Sequence, residues 1–252
     1  MKFSIITVAF NSSNTIRDTI ESVINQSYKD IEYIIIDGAS TDNTVEIIKE
    51  YEPLFNGRLI WKSESDDGLY DAMNKGIKIA TGDIIGIINS DDFYHNTVII
   101  EKISNLFSNK KVESVFADIR FVNPSNLEKT VRYYSSKIFS PRLFRFGFMP
   151  AHPTFFTYKK YFEKFGYYKT DYEIAADFEL LMRFLYTNKL NFNYLPLDII
   201  KMRTGGISTS SIKSRLILNK EIVRACKSNG VYTNMLFLFF KYFVKIFEYI
   251  DK

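Results

Sequence analysis

The sequence predicts an α/β protein built on a mostly parallel sheet flanked by helices. Two observations carry this. Over the first hundred residues, short apolar strand-like runs alternate with amphipathic helical stretches. Polar and acidic residues then collect where those strands end: Asn11, Asp37, Ser63 to Asp67, and Asp91 with Asp92. Alternation of this kind implies right-handed crossovers, and in open sheets of that build ligands bind beyond the carboxyl ends of the strands. With 252 residues, 46% hydrophobic and 25% charged, the chain can bury a substantial core.

The elements follow in order. Phe3–Phe10 reads as a strand, and Thr15–Asn25 places Ile16, Ile20, Val23 and Ile24 on one helical stripe. Ile31–Asp37 is a second strand. Ser40–Tyr51 opens with residues that cap helices and continues as one. Arg58–Ser63 is the third strand, Leu69–Ala80 the third helix and Asp83–Asn89 the fourth strand. That strand runs straight into Ser90, Asp91 and Asp92. Adjacent carboxylates repel one another unless something positive neutralises them. Two readings stay open at this point: a polar turn that caps a following helix, or a divalent-cation site.

Composition excludes several classes. The single cysteine, Cys226, leaves no internal disulfide and no multi-cysteine zinc site, which agrees with a reducing compartment. The opening MKFSIITVAF enters a strand pattern at once, so no secretory signal is expected, and no apolar run reaches the ~18 residues of a membrane span. The net charge of +4 belongs to the end of the chain: beyond residue 211 there are eight Lys or Arg against three acids. Nucleic-acid binding is not expected, because the aromatic residues lie in apolar periodic segments and not beside a basic face of the main body. Neither GxGxxG nor GxxxxGK[ST] occurs, so a bound diphosphate would need neutralising by other means. A nucleotidyltransferase would carry a Gly/Arg/Lys-rich signature after the first strand, and FNSSNT is not one.

Four stretches, SIITVAFNSSNTIRDTIESVINQSY, EYIIIDGASTDNTVEII, SESDDGLYDAMNKGIKIATGDIIGIINSDD and AADFELLMRF, together resemble the family 2 glycosyltransferases of the GT-A fold. They resemble most the small bacterial enzymes that build capsule, exopolysaccharide and O-antigen chains. The likeness is dense from Lys2 to Arg183, patchy to Ser210 and absent beyond. It implies a GT-A domain over residues 1–211, with a nucleotide-sugar-binding half (1–92) and an acceptor half (93–211), followed by a basic, aromatic-rich helical tail (212–252). It also implies inverting transfer of a sugar from a nucleotide-sugar, UDP-linked by expectation, to a hydroxyl of a glycan or lipid-linked glycan.

The resemblance assigns roles residue by residue. The segment Thr7, Val8, Ala9 to Asn11 would pack its backbone on the nucleobase, and Asp37 would bond the base, with capping of the Ser40 loop as its alternative. Asp67 would be a second base or ribose contact. Asn74 and Lys75 lie on the same side, Lys75 reaching the diphosphate or the Asp91 pair. The metal motif reads Asn89-Ser90-Asp91-Asp92; Asn89 would touch ribose or sugar, and Asp91 and Asp92 would hold Mn²⁺ or Mg²⁺. Asp177 matches the general base, although Ala176 stands where the family carries Glu; Glu179 and Glu173 are the fallback bases. His152, in FMPAHPTFF, would contact acceptor or donor sugar, and His95 is read as structural. Arg203, in the loop Met202–Ser211, could neutralise diphosphate. Asn89 and Ala176 also leave room for an inactive nucleotide-sugar-binding or scaffold protein.

The end of the chain, NMLFLFFKYFVKIFEYI, reads as an interfacial helix or as one packed on the body or on a second copy in a homodimer. The expected location is cytoplasmic, at the inner face of the membrane.

Overall fold

The computed structural model describes residues 1–205 and 212–240. Nine strands form one sheet: β1 (Phe3–Ala9), β2 (Ile31–Asp37), β3 (Leu59–Ser63), β4 (Ile84–Ile87), β5 (Phe93–Tyr94), β6 (Ser114–Asn123), β7 (Asn126–Tyr134), β8 (Phe156–Tyr158) and β9 (Phe192–Arg203). Their order is β3-β2-β1-β4-β8-β6-β9-β5, with β7 beside the far part of β6. The first four strands are mutually parallel, β8 runs antiparallel to β4 and β6, and β6 with β9 is parallel again.

The local reasons are legible. Every residue of β1 and β2 is buried, as expected for central strands covered on both faces. Helix α1 (Ile16–Ile24) buries the stripe Ile16, Thr19, Ile20 and Val23. Helix α2 (Thr44–Tyr51) starts later than the sequence suggested, because the residues before it are spent on the loop. Ser40 bonds Asp37, and the Asp42 carboxylate accepts from the Thr44 and Ser13 backbone N–H groups. Helix α3 (Leu69–Ile79) lies close on the sheet at Gly76, where a Cβ would sit 2.5 Å from Ile6. In β9 the register against β6 skips at the exposed Pro196, a bulge that a proline tolerates.

No helix starts at the Asp91 pair. Short β5 follows, and helix α4 (Ile99–Phe107) begins only beyond it, so the helix-capping reading of Ser90, Asp91 and Asp92 is corrected. After α5 (Lys159–Phe165), helix α6 (Ala176–Met182) continues as a π-helical turn to Thr187, with Leu180, Leu181, Phe184 and Leu185 all buried. Helix α7 (Ile212–Ser228) places Ile222, Ala225 and Cys226 in the same hydrophobic cluster as Phe144 and Phe178. The first part of the segment expected as a tail therefore shares the core of the main body. Residues 235–240 are helical, while Lys241 and Lys245, and the 206–211 part of the glycine loop, lie outside the described residues. No helix among the described residues is long and apolar enough to cross a membrane.

Candidate active site

The carboxyl ends of β1, β2 and β4 meet along one edge. Thr7, Val8 and Ala9 are interior: Thr7 accepts the Tyr33 hydroxyl at 2.9 Å, and the Ala9 carbonyl holds the Gly38 N–H. Within the segment expected at the base, Phe10 and Asn11 are the exposed residues. Phe10 is 64% exposed, and Asn11 adopts φ 49° while its Oδ1 accepts the Thr41 N–H. A Cβ at Gly38 would lie 2.7 Å from Asp66 Oδ2 and 3.5 Å from the Phe10 ring, so only glycine lets these two approach. Phe10 is a residue sequence reasoning missed; the available signal was a large aromatic placed just past a buried strand, in a polar loop.

Several residues expected at the donor also make framework bonds. Asp37 is fully buried, accepting from Ser40 N at 2.9 Å and Ser63 Oγ at 2.6 Å, and so holds the loop. Asp67 is exposed and its N–H bonds Asp71, whereas Asp66 is the acid beside Phe10 and Gly38. Asn74 spends its amide on the Tyr168 backbone, donating to the carbonyl at 2.8 Å and accepting the N–H at 2.9 Å. Lys75 bonds Ser65 O and pairs with Glu64 and Asp71, at 2.9, 3.3 and 3.2 Å. Ser90 is tied to Ser12, hydroxyl to hydroxyl at 2.8 Å.

The acid pair at the tip of β4 is under electrostatic tension. Asp92 is fully buried and its backbone carbonyl accepts the Thr19 hydroxyl at 2.7 Å. Asn89 Nδ2 donates to Asp92 Oδ2 at 3.1 Å, but Asn89 Oδ1 and Asp92 Oδ1 are buried with no hydrogen-bond partner. Burial holds both carboxyls above the usual range, and the charge of Asp91 pushes Asp92 further. Arg203 at the end of β9 bonds the Asp91 carbonyl and the Asp18 carboxylate and lies 5.1 Å from the Phe93 ring centroid. Orphaned buried oxygens on the Asn89 amide and the Asp92 carboxylate, with the Asp91 carboxylate beside them, form a hard, all-oxygen donor set of the kind that suits Mg²⁺ or Mn²⁺. No third His, Cys, Asp or Glu joins them among the described residues, so a cation there keeps positions open for phosphate oxygens.

Asp177 occupies the first turn of α6. Its Oδ1 accepts the Phe178 N–H at 2.7 Å, and the side chain is half-buried. Burial pushes this carboxyl up to about 6, backbone N–H groups oppose the rise and the Glu221 carboxylate adds to it. Tyr70 and Tyr168, stacked with centroids 5.8 Å apart, lie within its field; burial first, then the Asp177 charge, raises both phenols. His152 is buried, shares a 2.6 Å hydrogen bond with the Tyr168 hydroxyl, and is pulled down to about 4, hence neutral at pH 7. Its ring also packs edge-on against Tyr168, with centroids 5.7 Å apart. Glu179 is corrected as a fallback base: it is fully buried and paired with Arg183 and Lys169, each at 2.8 Å. His95 pairs with Asp198 at 2.9 Å, as a structural residue would.

An α/β sheet with this topology, carrying an acid pair at the tip of its central strand β4 and a half-buried carboxyl in the first turn of α6, is a glycosyltransferase scaffold of the GT-A type. The comparisons agree: residues 4–166 match the model of the family described as Glycosyl transferase family 2. The chain belongs to that family. It is 34% identical over 184 residues to an uncharacterized glycosyltransferase of Mycobacterium tuberculosis, covering 71% of this chain and 67% of the relative. Over 114 residues it is 40% identical to the Escherichia coli UDP-Glc:alpha-D-GlcNAc-diphosphoundecaprenol beta-1,3-glucosyltransferase WfaP, covering 45% and 43%. Among solved structures it is similar to S. aureus TarS 1-349 in complex with UDP-GlcNAc, with a TM-score of 0.68 at 19% identity, covering 88% of this chain and 67% of that one; it spans only 39% of the longer TarS chain. It is also similar to the mannosyltransferase PcManGT from Pyrobaculum calidifontis in complex with GDP-Man and Mn2+, with a TM-score of 0.65 at 16% identity, covering 90% and 63%.

Proposed function

We propose that this protein is an inverting, divalent-cation-dependent transferase that moves a sugar from a UDP-sugar to a hydroxyl of a lipid-linked glycan during surface polysaccharide synthesis. The observation that carries this is the contrast between two acid sites: unsatisfied oxygens at Asn89 and Asp92 among the described residues, and an Asp177 carboxyl in the first turn of α6 raised to about 6. Phe10, Asn11 and Asp66 suit a nucleobase, by stacking and hydrogen bonding. Asn89, Asp91 and Asp92 would hold the cation, which neutralises the diphosphate as it leaves. Arg203 holds the Asp91 turn to α1 through Asp18. Asp177, deprotonated above about pH 6, takes the proton of the attacking hydroxyl as the anomeric carbon gains positive charge. The UDP donor and lipid-linked acceptor are supported by the printed activity of WfaP and by the UDP-GlcNAc complex of TarS.

The lipid-linked acceptor gives the exposed end of the chain a use. Leu236, Phe239 and Phe240 are 70%, 62% and 54% exposed, an apolar strip suited to the interface of an anionic inner membrane leaflet. The test of function is release of free nucleoside diphosphate from a panel of nucleotide-sugars, with and without Mn²⁺, in the presence of a lipid-linked acceptor. Cation-stimulated release from a UDP-sugar is expected; turnover unaffected by chelation, or none with any UDP-sugar, sinks the corresponding part of the reading.

A further inference from the structure

The approach to α6 is held from another helix. Helices leave their first backbone N–H groups without intrahelical partners, and Ser, Thr, Asp or Asn at the cap commonly takes one of them. In α6 the cap residue is Ala175, which offers no such side chain. Instead the Glu221 carboxylate of α7 accepts three successive N–H groups: Glu173 at 2.7 Å, Ile174 at 2.9 Å and Ala175 at 2.9 Å. Three charge-assisted bonds to one carboxylate fix a backbone turn firmly. One turn further along α7, Arg224 bonds both the Asp171 carbonyl and its carboxylate and lies 4.2 Å from the Tyr172 ring centroid. Ile222, Ala225 and Cys226 anchor the opposite face of α7 in the core. The segment 171–175 is therefore strapped at both ends by one face of one helix, and it leads directly into Asp177.

We propose that Glu221 is a positioning residue for sugar transfer: by occupying the N–H groups that precede α6 it sets the first turn of that helix and keeps those groups from competing for the Asp177 carboxylate. This rests on the assignment of Asp177 as the base. Without Glu221, the three orphaned N–H groups would seek the nearest other acceptor, and Asp177 is within that turn. The ionisable groups that face Asp177 are Tyr70 from α3, Tyr168 with its partner His152, and Glu221 from α7; Glu179 on α6 itself is neutralised by Arg183 and Lys169. Glu221 is thus the one negative charge beside the base from outside its own helix among the described residues, and it also favours the protonated form of Asp177.

The experiment is steady-state kinetics of the full chain against pH for wild type, Glu221→Gln and Asp177→Asn, with thermal melts as a check on folding. For Glu221→Gln we expect kcat to fall roughly 10- to 100-fold, the usual consequence of a slightly misplaced reacting group. The donor KM should stay within about twofold, since the proposed donor contacts follow β1, β3 and β4 and not the α6 approach. The acid limb of the kcat profile should move to lower pH, because the charge that held the Asp177 carboxyl up is gone. A merely structural role would lower the melting temperature without moving that limb. If kcat and the limb are unchanged in Glu221→Gln while Asp177→Asn is inactive, the inference fails and the base assignment stands. If Asp177→Asn transfers at the wild-type rate, the base assignment fails and takes the inference with it. Should Glu221→Gln not fold, Glu221→Asp, which keeps the charge but shortens its reach, decides the question: lower kcat at unchanged donor KM supports the inference, and wild-type kcat overturns it.

Discussion

Two acid sites stand out in this protein, one at the tip of β4 and one in the first turn of α6, and burial raises the carboxyls in both, yet the two ask for different partners. At Asp91 and Asp92 the charges are adjacent, an amide oxygen and a carboxylate oxygen are orphaned among the described residues, and the nearby guanidinium is committed elsewhere. A divalent cation would relieve such a site. At Asp177 the neighbours are two buried tyrosines, one of them bonded to a neutral histidine, and the carboxyl accepts the Phe178 N–H. A proton would relieve that site. The lesson is that a raised carboxyl pKa has no single functional meaning; what the surrounding atoms lack decides whether metal or proton answers it.

If the contrast holds, chelation is its harshest test. EDTA should abolish transfer, and Asp92→Asn should weaken Mn²⁺ binding, read by calorimetry, and lower kcat by roughly 10³-fold. Wild-type turnover in EDTA would erase the distinction between the two sites. Next in size, Asp177→Asn should keep Mn²⁺ and donor binding but lose roughly 10²- to 10⁴-fold in kcat, the value of a positioned base. A dead Glu173→Gln beside an active Asp177→Asn would relocate the base.

The two sites should also separate on the pH axis. As the proposed base Asp177 would work as its anion, and burial puts its carboxyl at about 6, so log kcat should climb about one unit per pH unit below that and level above it. A profile already flat at pH 5 would contradict this. Smaller still is the expected effect of Asn74→Ala, which orphans the N–H and C=O of Tyr168. A stability loss of roughly 2–4 kcal/mol by denaturant titration is expected, with donor KM unchanged. A large rise in donor KM at unaltered stability would return Asn74 to the donor site. The smallest effect on chemistry belongs to Leu236→Ser with Phe239→Ser: release from anionic liposomes, with activity on a short soluble acceptor preserved. Retained liposome binding would assign the strip to protein packing.

Much of the fold was readable in the chain. Strand and helix periodicity located the first seven elements to within a few residues, because burial on one stripe or both faces writes itself into residue spacing. The order of polar strand ends marked the edge of the sheet where Asn89, Asp91 and Asp92 meet. What spacing could not reveal is how a side chain's hydrogen bonds are spent. Asn74, Lys75, Asp37 and His152 carry the right chemistry for ligand contact, yet each is used by a neighbour that sequence does not name: Tyr168, Glu64 with Asp71, Ser40 with Ser63, and Tyr168 again. Phe10 and Asp66 show the reverse, becoming a matched pair only when β2 brings Gly38 between them. By itself, then, the sequence determined the alternating architecture and the acid pair at the tip of β4, since both follow from local periodicity and short-range order. Tertiary structure alone decided that Arg203 reaches the Asp91 turn from the end of β9, and that Glu221 closes on the entrance to α6. Those contacts join residues far apart in the chain, and only a folded core brings such partners within hydrogen-bonding distance.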